Sequence, residues 1–313
     1  MSFFGRIVAG VEFDPVQDAQ QTASLSHVMR AAQLADASGK PLELVTVTAA
    51  AKSSWFQSAE EADVRAAEDV AEAQQWLKQV AERIGSDVTT RVASGEPWLQ
   101  IMKAAGADPR TLIVCATKRR STFTRVLFGS TGMKLLRYAP GPVWLVHPDP
   151  DGDDRLDIMA TSDLTPAGQQ VLEVAVSLAG LLPSRLHALT VAETETARRI
   201  ARRDLDESRR EKMYEEARVA SEQKLQEQLS QTDYRTLESG VQTHAISGDA
   251  DAGILQAVDN LKTNVVVMAT RARGGVAGMM MGNTAERLLA ALPCSALVIK
   301  PDDFQCPVDL SSE

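Results

Sequence analysis

The segment best able to do chemistry is a turn that occurs twice. Ala269, Arg271, Ala272 and Arg273 follow the apolar run Val265 to Met268 and lead into Gly282, Asn283, Thr284 and Glu286. A strand feeding a glycine-bearing turn and then a helix start offers unhindered backbone N–H groups and the positive end of a helix dipole, which together suit an anion such as a phosphate. Shifted back by 153 residues, the same arrangement returns as Ala116, Lys118, Arg119, Arg120, Gly129, Ser130 and Thr131 behind Ile113 to Cys115. The bland alternative has its own physics. Ser130 and Asn283 are good N-cap residues, and Glu286 stands three residues after Asn283 as in a capping box, so each turn also reads as a capped helix start that needs no ligand.

The elements that position these turns repeat at the same offset. Pro140 matches Pro293, Val146 matches Ile299, Pro148 matches Pro301, Asp149 matches Asp302, and Ser94-Gly95 matches Ser247-Gly248. The chain therefore reads as an internal duplication, with domains at 1–148 and 156–313 joined by a turn-rich linker at 149–155. In the first half, apolar runs at Ile7 to Val11, Leu42 to Val47, Val88 to Val92, Leu112 to Cys115 and Val143 to Val146 predict five strands. Between them fall helices ending before Gly39, spanning Ala59 to Ile84 with Val64, Val70, Ala71, Trp76, Leu77 and Val80 near one stripe, opening at Pro97, and capped by Ser130 before Pro140. The second half repeats the order at Leu156 to Ala160, Leu186 to Val191, Val241 to Ala245, Val265 to Met268 and Ala296 to Ile299. It differs by a charged insert, Glu193 to Leu229, read as a solvated helix or a docking surface. The alternation predicts an α/β fold of two tandem doubly wound five-stranded parallel sheets.

Composition narrows the function. A net charge of -9 with 4% aromatic residues repels nucleic acid. No apolar run approaches the roughly 18 residues of a membrane span, and the default address is the cytoplasm. Cys115, Cys294 and Cys306 are too widely spaced for a disulfide framework, and His27, His147, His187 and His244 show no paired ligand spacing. No metal site is expected. The acids of the linker lack the pattern of a calcium loop.

Open parallel sheets bind ligands beyond the carboxyl ends of their strands, where strand order reverses. Strand one ends there at Glu12 in the first half and Asp163 in the second, carboxylates able to accept from a ribose hydroxyl or an adenine amine. On these residues the chain resembles the universal stress protein family, one family domain per half. The segment Gly282 to Glu286 and the tail Val298-Ile299-Lys300-Pro301-Asp302 are most similar to the tandem E-type members. The family motif Gly-x2-Gly-x9-Gly-Ser/Thr becomes Ala269-x2-Ala272-x9-Gly282-Asn283 and Ala116-x2-Arg119-x9-Gly129-Ser130. The resemblance implies a universal stress protein fold, a cytoplasmic stress-response role, and ATP or another adenine nucleotide as cofactor in some members. Carried over by position, Asp163 and Glu12 match the carboxylate near the nucleoside, and Val191 and Val47 the strand-two residue beside adenine. Gly282 with Asn283 and Gly129 with Ser130 match the phosphate end.

Both early motif glycines are replaced in both halves. Ala272 adds one methyl and Arg119 a long side chain, so the second half is expected to keep the better, though degenerate, site. The resemblance further implies pairing through strand five, Val143 to Val146 with Ala296 to Ile299, as an intramolecular pseudo-dimer with Trp144 at the interface; a dimer of whole chains is the other form. The Ser-Gly-Gly-x-Asp-Ser loop of related adenylating enzymes is absent, and Gly129-Ser-Thr-Gly-Met-Lys134 has the wrong spacing for a Walker loop. The expected function is a non-enzymatic binder of a small anionic ligand. The alternative is an interaction scaffold that uses the 193–229 insert.

Overall fold

A computed structural model describes residues 3–13, 25–49, 59–85, 87–117, 129–148, 155–192, 207–270 and 281–310. Lys118, Arg119, Arg120, Arg271, Ala272, Arg273 and the linker acids of 149–154 lie outside these residues, as does the 193–206 part of the charged insert. The chain divides into two compact units, one built on the first five strands and the other on the last five, and the C-terminal segment from Gln305 is grouped with the first.

In the first unit the order along the chain is β1 (Arg6–Val11), α1 (Ser26–Ser38), β2 (Leu42–Thr48), α2 (Ala59–Ile84), β3 (Val88–Ser94), α3 (Pro97–Ala105), β4 (Thr111–Ala116), α4 (Ser130–Tyr138) and β5 (Val143–Val146). The strands lie side by side as β3-β2-β1-β4-β5, each pair parallel. Parallel neighbours need crossover helices on the sheet faces, so the central strands are covered on both sides and read as unbroken apolar runs. β1, β4 and β5 are buried along almost their whole length, whereas β3, at the edge, has only exposed and half-buried residues. Gly39 ends α1 in the left-handed region at φ 63°, where a side chain would be strained. His27 on α1 holds the backbone oxygen of Gly10 on β1 through Nε2 at 3.1 Å, and burial lowers its pKa to about 4, which makes it a neutral core group.

The second unit runs β6 (Leu156–Ser162), α5 (Pro166–Leu181), β7 (Ser184–Ala192), α6 (Glu207–Ser230), β8 (Val241–Ser247), α7 (Ala250–Asn260), β9 (Val265–Ala269), α8 (Asn283–Ala291) and β10 (Ser295–Ile299). Its order, β8-β7-β6-β9-β10, repeats that of the first unit, again all parallel. Strand order reverses between β6 and β9, as it does between β1 and β4.

Three expectations need correction. The first is the charged insert: its described part is the helix expected, α6, but as the crossover from β7 to β8 that helix is the counterpart of α2. The second is the stripe of α2. Val64 is 59% exposed and Ala71 is exposed, while Ala73, Leu77 and Val80 form the buried line; the helix packs on the sheet through its C-terminal half, so apolar residues near its start face solvent. The third is the cap. Ser130 and Asn283 are the first helical residues and Gly129 and Gly282 occupy the N-cap positions, with no side-chain cap bond.

Candidate functional site

Register shows which residues of the two halves correspond. Ala9 pairs with Leu44 and Val114, and Ala160 pairs with Ala188 and Val267. Three residues beyond these rungs stand Glu12 and Val47 in one unit and Asp163 and Val191 in the other. Glu12 is exposed and Val47 half-buried, and Asp163 and Val191 have the same exposures.

In the second unit these positions open on a cleft of about 220 Å³. Leu189, Val191, Ile254, Met268, Ala285 and Leu288 supply its apolar part, and Thr161, Ser162, Asp163 and Thr284 its polar part, with Ala250, Ala269, Gly168 and Gly282 where the backbone comes close. The structure thus brings together Asp163, Val191, Ala269, Gly282 and Thr284 from the sequence-based set. Asn283 begins α8 at the same place. In the first unit Ala116 and Ser130 are exposed and Gly129 half-buried.

The turn that presents Asp163 is tightly built. Buried Ser162 donates from Oγ to Gln228 Oε1 at 2.7 Å and accepts the Leu164 N–H at 3.0 Å. Gln228, in the last turns of α6, also donates from Nε2 to the Thr165 carbonyl at 3.0 Å. Asp163 Oδ1 accepts from the Thr165 N–H at 3.0 Å and the Thr165 hydroxyl at 2.5 Å. The chain passes through Leu164 at φ 62°, a conformation that costs a non-glycine residue about 1–2 kcal/mol and that the surrounding bonds hold in place. Thr165 then precedes α5, with Pro166 in the first turn. Gly168 allows the close approach: a Cβ there would stand 2.4 Å from Ser162 Oγ and 3.0 Å from the Asp163 amide nitrogen.

Sequence reasoning missed Ser162, Gly168, Ile254 and Gln228. Gly168 carried a signal as a glycine inside an apolar helix, whereas Gln228 carried none, because 66 residues separate it from Ser162.

The first unit is built differently at the equivalent points. Phe13 occupies the position of Leu164 and packs edge-on against Trp76 of α2, ring centroids 5.6 Å apart. Gly10 occupies the position of Thr161, and a Cβ there would meet Ile101 Cδ1 at 2.6 Å, so Ile101 of α3 sits directly on the β1 backbone. At the 153-residue offset its counterpart, Ile254, lines the cleft of the second unit instead. Cys115 beside Gly10 is buried, and burial raises its thiol pKa to about 12, which leaves it an inert core group. Among the described residues no group of His, Cys, Asp or Glu is arranged to hold a metal ion.

A model of the universal stress protein family matches residues 5–147 and again residues 156–300. Universal stress protein E of Escherichia coli (strain K12) is 26% identical over 250 residues, which cover 76% of this chain and 77% of that protein. A universal stress protein of Mycolicibacterium smegmatis (strain ATCC 700084 / mc(2)155) is 25% identical over 305 residues, 94% of this chain and 97% of the other. Among solved structures, a universal stress protein from Pseudomonas aeruginosa UCBPP-PA14 is similar with a TM-score of 0.63 at 22% identity, covering 96% of this chain and 94% of its own. One from Archaeoglobus fulgidus DSM 4304 is similar with a TM-score of 0.59 at 20% identity, covering 94% and 98%. At these identities the structural likeness speaks for the fold.

Proposed function

The chain belongs to the universal stress protein family, and from that premise we propose that it is a non-enzymatic stress-response protein of the cytoplasm whose second domain binds an adenine nucleotide beside Asp163. The observation that carries the reading is the cleft itself, which gathers a carboxylate, an apolar shelf and a glycine-led helix start at the point where strand order reverses. Val191, Leu189 and Ile254 would pack a purine. Asp163, whose Oδ1 is fixed by Thr165, would meet the ribose. The first N–H groups of α8 behind Gly282 would face the phosphates.

The cleft is smaller than the roughly 300–1,000 Å³ of sites that enclose drug-sized ligands. It suits one ring system and leaves the charged part at the mouth. Binding rather than turnover fits the lining: the described residues that line the cleft include no histidine or cysteine, and the Asp163 carboxylate is already engaged by Thr165. For the address, no helix among the described residues is long and apolar enough to cross a membrane.

Equilibrium dialysis of the purified full chain against ATP tests the proposal. Asp163→Ala and Gly282→Val are each expected to weaken binding about tenfold or more, equivalent to losing about 1.4 kcal/mol. Unchanged affinity in both variants removes this site.

A further inference from the structure

Three positions on one face of each sheet carry polar side chains, and the two halves fill them with different chemistry. The rungs Ala9–Leu44–Thr90 and Ala160–Ala188–Thr243 correspond, which sets Arg6, Glu43 and Arg91 of the first sheet level with Asp157, His187 and His244 of the second. In the first sheet, buried Glu43 accepts from Arg91 Nε at 2.7 Å and pairs with Arg6. In the second, His187 Nδ1 and His244 Nε2 lie 3.1 Å apart, with ring centroids 5.3 Å apart and planes tilted by 40°. Such a contact needs one nitrogen to donate and the other to accept, so at most one of the two rings is protonated while it lasts.

The groups facing the pair come from three elements. Asp157 on β6 has a buried Oδ1 that accepts no hydrogen bond, and Arg185 on β7 approaches it only to 3.9 Å. Glu222 on α6 is held by Arg218 at 3.1 Å. Burial holds both rings below the ordinary imidazole range. For His187 the neighbouring His244 and Arg185 add to the lowering and Asp157 opposes it, while for His244 Glu222 opposes it. The pair therefore titrates as a coupled unit.

We propose that His187 and His244 form an acid-sensitive latch that holds edge strand β8 to the second sheet and opens when the pair takes up a second proton. Two imidazolium rings at this separation repel, and the side-chain contact that supplements the β7–β8 backbone ladder has no acceptor left. The sign follows from linkage. The open form binds protons at the ordinary imidazole pKa and the latched form only below it, so the latch is fully closed above that range and loosens as pH falls through it. The first sheet has the Arg6–Glu43–Arg91 ion pairs at the same places, with no imidazole pair, and lacks the device. The inference is independent of any ligand in the cleft.

Hydrogen exchange of the full chain between pH 7 and pH 5, corrected for intrinsic rates, tests it. Protection of the β8 segment 241–247 is expected to fall by up to about tenfold per pH unit, the limit for one extra proton in the open form. His244→Gln retains a hydrogen-bonding group that does not titrate, and is expected to flatten this dependence. Flat protection in the wild type, or the wild-type slope in His244→Gln, overturns the latch. Should that variant fail to fold, ring-proton NMR of the wild type decides. Two coupled steps below the ordinary imidazole range support the latch, and two independent titrations within that range overturn it.

Discussion

At the scale of single residues the candidate site depends on one close approach. Gly168 lets α5 begin against the turn that carries Asp163, and a methyl at that position would stand 2.4 Å from Ser162 Oγ, nearer than any real side chain sits. Gly168→Ala is therefore expected to destabilise the second unit by about 1–3 kcal/mol, the usual cost of overpacking, rather than to stabilise its helix as alanine for glycine does elsewhere. Denaturant titration followed by circular dichroism measures the change. Removing the obstructing oxygen in a Gly168→Ala/Ser162→Ala double variant should recover part of the loss, a positive coupling between residues in contact. Additive losses would mean that the turn, not Ser162, sets the limit.

At the scale of elements both crossover helices perform the same task by different means. α2 steadies the residues after β1 through Trp76 against Phe13, and α6 steadies the residues after β6 through Gln228. Gln228→Ala leaves Ser162 Oγ without its acceptor and the Thr165 carbonyl without this donor. We expect a loss of about 1–3 kcal/mol, the cost of stranding buried polar groups, and faster amide exchange at Leu164 and Thr165. Gln228→Glu restores an acceptor for Ser162 but not a donor, so it should fall between wild type and alanine. These long-range ties mark the limit of what the sequence could disclose. Local signals identified Ala59–Ile84, the opening of α3 at Pro97 and the end of α1 at Gly39, because period, proline and glycine act within a turn or two. The repeated turn then supplied Gly282, the end of strand one at the switch point Asp163, and the family resemblance Val191. Gln228 and the His187–His244 pair were invisible, because only the register of finished sheets brings residues 66 and 57 positions apart into contact. Ser130 misled for a local reason: a glycine just before it took the non-helical cap position.

At the scale of the whole molecule, duplication has left two homologous units with an unequal distribution of probes. Trp55, Trp76, Trp98 and Trp144 all belong to the first half, and the second contains none. Tryptophan emission therefore reports on the first unit, while far-ultraviolet circular dichroism reports on both. Chains with two cores commonly depart from two-state unfolding, so the two signals are expected to give different denaturant midpoints. A ligand that binds one native unit stabilises that unit alone, by about 2.7 kcal/mol at a concentration 100 times its dissociation constant. If ATP occupies the cleft of the second unit, saturating ATP should move a dichroism transition to higher denaturant and leave the emission midpoint where it was. Movement of the emission midpoint alone would place the nucleotide in the first unit, where Ile101 covers the β1 backbone, and would reverse the assignment of the site.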